Sequence, residues 1–203
     1  MSFFQNTCKP EGIGGKIMVS MMNTGHFPVA EWGFTHIEIA NTDTCLDIGC
    51  GGGANVKRLL KKCPHGKVTG IDYSEISVKK SAKINKAEIE NNRCQILQGN
   101  VMNLPFESET FNIITAFETI YFWSDIHEAF KQVYRVLKNG GTFMICNESN
   151  GENTKDEKWT DVIQGMKIYT SVQITKALES AGFKDIKTDK NKNWLCIVCK
   201  KDE

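Results

Sequence analysis

Leu46-Asp47-Ile48-Gly49-Cys50-Gly51-Gly52-Gly53 is the stretch on which the fold turns. An apolar run, an acid and glycines at alternate positions describe a strand that ends in a sharp turn and opens a helix. Glycine takes backbone conformations closed to other residues and lets a ligand approach the main chain. About twenty residues further on, Gly70-Ile71-Asp72 ends a second apolar run, where a carboxylate accepts from both hydroxyls of a ribose. Either signal alone also serves ordinary packing. Together they point to a ligand built on a nucleoside.

Outward from this stretch, short apolar runs alternate with longer amphipathic ones, as expected of parallel strands joined by right-handed crossover helices. The pattern predicts strands at 44–48, 67–72, 93–98, 111–117 and 141–146, with helices near 53–63, 75–91 and 125–138. Ile126, Ala129, Phe130, Val133 and Val136 show the helical spacing in the last of these. A helix at 171–181 stops at Gly182, and strands at 184–189 and 194–200 follow. The Lys190–Asn193 link between them is too short for a crossover, so they run antiparallel.

The expected fold is therefore α/β: a doubly wound, mostly parallel seven-stranded sheet ending in an antiparallel hairpin. Before Thr44, helix-like pieces at 14–23 and 28–39 break at Gly25 and Pro28. They carry Ile17, Met18, Met21, Met22, Trp32, Phe34 and Ile37, too much apolar surface for a loose tail. Residues 1–203 are expected to form a single domain, with 1–40 a helical lid over a 41–203 core.

Composition narrows the partners. With 25 Lys+Arg against 24 Asp+Glu, the net charge of +1 lacks the footprint of a protein that grips a phosphate backbone, so no nucleic acid is expected. The run Lys79, Lys80, Lys83, Lys86 is the solvated face of one helix. No run of 18 apolar residues suggests a membrane span, and the first residues do not form a secretory signal, so a cytoplasmic location is expected. The eight cysteines then belong to a reducing compartment. Cys196-Ile197-Val198-Cys199 has no second pair to complete a tetrahedral site, so no metal is expected and the thiols are taken as buried and inert.

The order of motifs resembles the class I, Rossmann-like S-adenosylmethionine-dependent methyltransferases that act on small molecules. Leu46 to Gly53 resembles that family's acid-G-x-G-x-G motif and Ile71-Asp72-Tyr73-Ser74 its second. Gln98 to Val101, with Leu104-Pro105-Phe106 and Phe111 to Ile114, resembles the segment passing the adenine into the fourth strand. Val136 to Gly141 resembles the turn before the fifth. The resemblance implies S-adenosyl-L-methionine as cofactor and assigns it Asp47, Gly49, Cys50, Gly51, Asp72, Tyr73, Asn100, Val101 and Phe117. Asn100 departs from the usual aspartate beside the adenine amine, leaving an amide oxygen as acceptor.

The implied reaction is in-line methyl transfer to a small-molecule acceptor. Ala116-Phe117-Glu118-Thr119 differs from the Asn/Asp-Pro-Pro-aromatic turn of methylases acting on base or glutamine amino groups. Glu118, beyond the fourth strand, and His26, in the lid, are the catalytic candidates, while Trp32, Tyr121 and Trp123 are candidates to line the acceptor site. For each, simple packing or solvation is the competing role. Two other functions share the glycine turn and ribose acid: an NAD-dependent oxidoreductase, which calls for G-x-G-x-x-G, and a non-catalytic S-adenosylmethionine-binding regulatory module.

Overall fold

In the computed structural model, which describes residues 7, 10, 12–153 and 156–202, seven strands form one sheet. They are β1 (Thr44–Ile48), β2 (Lys67–Asp72), β3 (Cys94–Gln98), β4 (Phe111–Phe117), β5 (Leu137–Asn147), β6 (Lys184–Asn191) and β7 (Trp194–Lys200). Their order is β3-β2-β1-β4-β5-β7-β6. The first five are parallel, and β7 lies antiparallel between β5 and β6. The hairpin thus returns its second strand into the sheet and leaves β6 at the edge.

Eight helices accompany the strands among the described residues: α1 (Gly12–Gly25), α2 (Phe27–Gly33), α3 (Ala54–Lys62), α4 (Glu75–Ile84), α5 (Lys86–Glu90), α6 (Ile126–Val136), α7 (Glu157–Val162) and α8 (Ser171–Ala181). Successive residues of a strand face opposite sides, so the two faces carry separate cores. Leu46, Ile48 and Ile114 pack with α6 and α8 through Phe130, Val133, Ile174 and Leu178. Cys45, Ile113, Met144 and Cys146 pack on the other side with Leu59 of α3 and Val29 and Ala30 of α2. All seven described cysteines are free and buried. Among the described residues, no helix is long and apolar enough to cross a membrane.

Several element ends differ from the pattern-based expectation. The helix expected over 75–91 divides at Asn85, whose side-chain amide donates to the carbonyls of Ser81 (3.0 Å) and Gly53 (3.1 Å). The helix expected to reach 138 stops at Val136, because Leu137 already pairs with Phe111 as the start of β5. The piece expected over 28–39 ends as α2 at Gly33. A Cβ there would stand 2.7 Å from the Cys146 sulfur and 2.9 Å from the Phe117 ring, so the chain passes too close to the sheet for a larger residue. The short α7 follows the polar stretch and carries no apolar period. The Met22 side chain and residues 1–6, 8, 9 and 11 of the expected lid lie outside the described structure.

Because β1 pairs with β2 on one side and β4 on the other, the crossovers leave β1 in opposite directions. A crevice opens beyond the carboxyl ends of these strands, where open α/β sheets hold their ligands.

Candidate active site

The glycine turn fills the bottom of that crevice. Gly49, Gly51 and Gly53 all have positive φ, at +69°, +50° and +81°. A Cβ on Gly49 would meet the Thr119 hydroxyl at 2.1 Å, and one on Gly53 would meet Ser81 Oγ at 2.4 Å. At Gly51 such an atom would meet nothing within 4 Å. The outer two glycines therefore permit packing, while the middle one borders open space where a ligand fits against the main chain.

Asp72 stands beside it, 8% exposed. Its Oδ2 accepts from the Gly51 amide (2.9 Å) and its Oδ1 from the Ser74 amide (2.8 Å), which locks the carboxylate in place. The Ser77 side chain hydrogen-bonds the same carboxylate. Burial pushes its pKa up, and the two amides partly restrain the shift.

The cavity above has a volume of about 340 Å³, within the range of small-ligand sites. Gly49 to Gly52 floor it, with Ala54, Asn55 and Arg58 from the start of α3. Asp72, Tyr73, Asn100 and Val101 border one end, and Phe117, Glu118, Thr119, Phe122 and Trp123 the other, with Val19 and His26 reaching in from the N-terminal helices. Asn100 Oδ1 accepts from the Met102 amide (3.0 Å), capping the tight turn Val101–Asn103. Cys50 also lines the cavity; burial and the nearby Asp72 and Asp47 push its thiol well up, so it stays protonated.

At the far end Glu118 takes a left-handed φ of +56°, uncommon for a residue with a side chain. Its amide donates to the Cys146 carbonyl (3.0 Å), and its Oε1 accepts from the Glu148 amide. Burial, and then the Glu148 charge, push the Glu118 carboxyl well up. His26 sits where α1 meets α2, and burial lowers its pKa against the opposing pull of Glu148. The ligating atoms of His26, Glu118 and Glu148 lie within 4.8 Å of one another.

Three sequence candidates do not line the cavity. Asp47 lies behind the turn, accepting from Thr115 Oγ1 (2.7 Å), with burial pushing its pKa up to about 7. Tyr121 is 3% exposed, and its hydroxyl accepts from the Ser149 amide (3.0 Å) behind the Glu118 wall. Trp32 packs against His36 and Trp194, with ring centroids at 4.7 and 5.8 Å, on the opposite side of α2. The remaining candidates converge: Gly49, Cys50, Gly51, Asp72, Tyr73, Asn100, Val101, Phe117, Glu118, His26 and Trp123.

The structure adds Asn55 and Arg58, one turn apart at the start of the helix that the glycines open. Arg58 is held by Glu31 (2.9 Å) and Asn55 (3.0 Å). It also brings Glu148, just after β5, beside Glu118 and His26. The rule that neighbouring strand ends share a crevice could have found Glu148, since β5 pairs beside β4.

The chain is similar to known methyltransferases. A family described as methyltransferase domain matches residues 46–145. A protein of Bacillus subtilis (strain 168) named methyltransferase YrhH is 29% identical over 165 residues, covering 81% of this chain and 82% of its own length. The cycloartenol-C-24-methyltransferase of Arabidopsis thaliana is 26% identical over 163 residues, 73% of this chain and 48% of that protein. In fold, the chain is similar to a Haemonchus contortus phosphoethanolamine N-methyltransferase solved with phosphomonomethylethanolamine and S-adenosylhomocysteine. That match has a TM-score of 0.83 at 15% identity and covers all of this chain and 61% of the other.

Proposed function

The chain belongs to the class I S-adenosylmethionine-dependent methyltransferases, and from that premise we propose that it methylates a small molecule held between His26 and the Glu118–Trp123 wall. One observation carries the reading: the open space at Gly51 and the fixed Asp72 carboxylate share a cavity with a separate polar and aromatic end. The residues fit the cofactor. Asp72 borders the cavity as a fixed carboxylate acceptor for the ribose, and Asn100 with Val101 borders the place for the adenine. The amides at the start of α3, with Asn55 and Arg58, suit an amino-acid carboxylate, since a helix N-terminus and a guanidinium both favour an anion.

Asp47 contributes from behind, holding Thr115 and with it the register of β1 on β4. When bound, S-adenosylmethionine supplies an electrophilic methyl group on a sulfonium centre. The chain's own part is to hold an acceptor in line with that methyl and keep competing water out. Positioning of this kind reaches effective molarities of ~10⁵ M or more. Phe117, Phe122 and Trp123 offer apolar surface for this, while His26 and Glu118 face the acceptor with polar groups and Glu148 stands beside them. The relatives named for sterol and phosphoethanolamine methylation support a small acceptor.

Calorimetric titration with S-adenosylhomocysteine and with NAD tests the cofactor half. Binding of the first and none of the second is expected, and preference for NAD overturns the reading. Mass spectrometry of ligands retained through native purification tests the acceptor half: a small molecule that gains one methyl on incubation with S-adenosylmethionine supports it. Methylation of protein or nucleic acid alone overturns it.

A further inference from the structure

Three side chains from three separate connections meet beside the acceptor end of the cavity, which His26 and Glu118 line, with one potential ligand atom each and all within 4.8 Å. Donors sharing one ion at ~2.0–2.2 Å stand at most about 4.4 Å apart, so small side-chain rotations bring this set to coordination distance. Among the described residues, no lysine or arginine pairs with Glu118 or Glu148, although the ion pairs elsewhere in the molecule are numerous. Two neighbouring carboxylates with no lysine or arginine between them repel, and that arrangement calls for a positive charge or a shared proton. Glu118 is oriented for such a role by the Glu148 amide on its Oε1, and the next residue, Ser149, is pinned by Tyr121. Ligand carboxylates held by backbone donors are the usual outer support of a metal centre.

We propose that His26, Glu118 and Glu148 bind a divalent transition-metal ion, and that the methyl acceptor is an oxygen compound whose hydroxyl or enol oxygen completes that ion's coordination. One imidazole nitrogen with two carboxylate oxygens suits manganese, iron, cobalt or zinc better than calcium or magnesium, which take oxygen ligands. Three protein ligands leave further coordination positions for other oxygen ligands, as in catalytic sites, and His26 and Glu118 border the cavity. The site departs from the absence of metal expected from the cysteine spacing, because its ligands are far apart in sequence.

The role of the ion rests on the methyltransferase reading; its binding does not. The acceptor O–H loses its proton to bulk water on coordination, since a bound cation lowers the pKa of an oxygen ligand. An oxygen lone pair then forms a bond to the methyl carbon as the carbon–sulfur bond breaks, and that bonding pair stays on sulfur. The products are the methyl ether, neutral S-adenosylhomocysteine and one proton.

The test uses Mn²⁺, which has little affinity for the many thiols of this chain. Full-length protein stripped with chelator is titrated with Mn²⁺ and followed by electron paramagnetic resonance. One bound ion per chain is expected, with a nitrogen coupling in pulsed spectra that His26→Ala removes. Glu118→Gln and Glu148→Gln, nearly isosteric, should each weaken binding by roughly tenfold or more. Glu75→Gln, a surface control, should not. Folding of each variant is checked by its melting curve. Absence of binding above the Glu148→Gln background overturns the site and leaves a shared proton as the charge balance; so does binding that all three variants leave unchanged. Acetohydroxamate, a bidentate oxygen ligand, should displace ion-bound water and lower its proton relaxation; unchanged relaxation overturns the oxygen-acceptor half. Mn²⁺ binding without any S-adenosylhomocysteine binding would sink the methyltransferase reading while leaving the metal site standing.

Discussion

Asp47 and Asp72 end neighbouring strands and are both buried, yet they work differently. Asp72 faces the cavity with two backbone amides on its carboxylate. Asp72→Ala removes both the ribose acceptor and the clamp on Gly51. Hydrogen bonds to a charged group contribute about 1.5–3 kcal/mol, so affinity for S-adenosylhomocysteine should fall roughly ten- to a hundredfold. Unchanged affinity in calorimetry would take Asp72 out of the site. Asp47, facing away, governs pH dependence instead. Its folded pKa of about 7 lies above the ordinary 3.8, so the native state binds the extra proton. That contribution is complete below about pH 4 and is lost as the pH rises through about 7. Three units correspond to about 4 kcal/mol at most. Asp47→Asn, which still accepts from Thr115, should flatten this loss; urea unfolding at pH 5 and pH 8 measures it. Asn100→Asp keeps the cap on Met102 and adds a charge beside the proposed adenine place, so cofactor affinity should hold or rise by about 1–2 kcal/mol. A large loss in the same titration would show that Asn100 donates to the ligand.

At the scale of elements, legibility followed locality. The glycine turn, the strand before it and the strand that ends at Asp72 were readable because their signal lies within thirty residues, as were α6 with its apolar period and α8 with its stop at Gly182. Glu148 was not: Asn147-Glu148-Ser149 has no pattern of its own, and only the pairing of β4 with β5 brings it to Glu118. Nor was the break at Asn85, which depends on the carbonyl of Gly53, 32 residues away. The N-terminal helices were legible as apolar cover but not as two different things. α1 exposes Ile17 and Met21 and buries Met18 and Val19, the latter over the cavity. α2 buries Val29 and Ala30 completely against the sheet. We propose that the cover over the ligand is α1 and that α2 is part of the core. A chain starting at Asn41 should then aggregate, since it bares the face of β4 and β5 that α2 covers. A chain starting at His26 should remain soluble and bind S-adenosylhomocysteine. Recovery of a folded, monomeric chain from Asn41 would make both helices lid.

At the scale of the whole molecule, the cavity is built from ends that the sheet alone does not hold together. The turn after β1, the acid after β2, Asn100 after β3 and Glu118 after β4 meet under residues of α1, so a ligand in the cavity bridges every one of them. A ligand that binds only the folded form raises its stability by an amount set by concentration over Kd. At a hundredfold excess over Kd that is about 2.7 kcal/mol. For a chain of this size each kcal/mol moves the midpoint by about 2–4 °C, so S-adenosylhomocysteine should raise Tm by roughly 5–11 °C. NAD at the same concentration should leave it unmoved, because Asp47 with Gly49, Gly51 and Gly53 follows the acid-G-x-G-x-G spacing of the methyltransferases. Asp72→Ala should lose most of the rise at equal ligand concentration. Because α1 contributes to the same cavity, the bound form should also resist proteolysis within Gly12–Gly25 at temperatures where the core is intact in either form. Cleavage there at the same rate with and without ligand, alongside a full thermal shift, would confine the coupling to the strand ends and remove α1 from the ligand's cover.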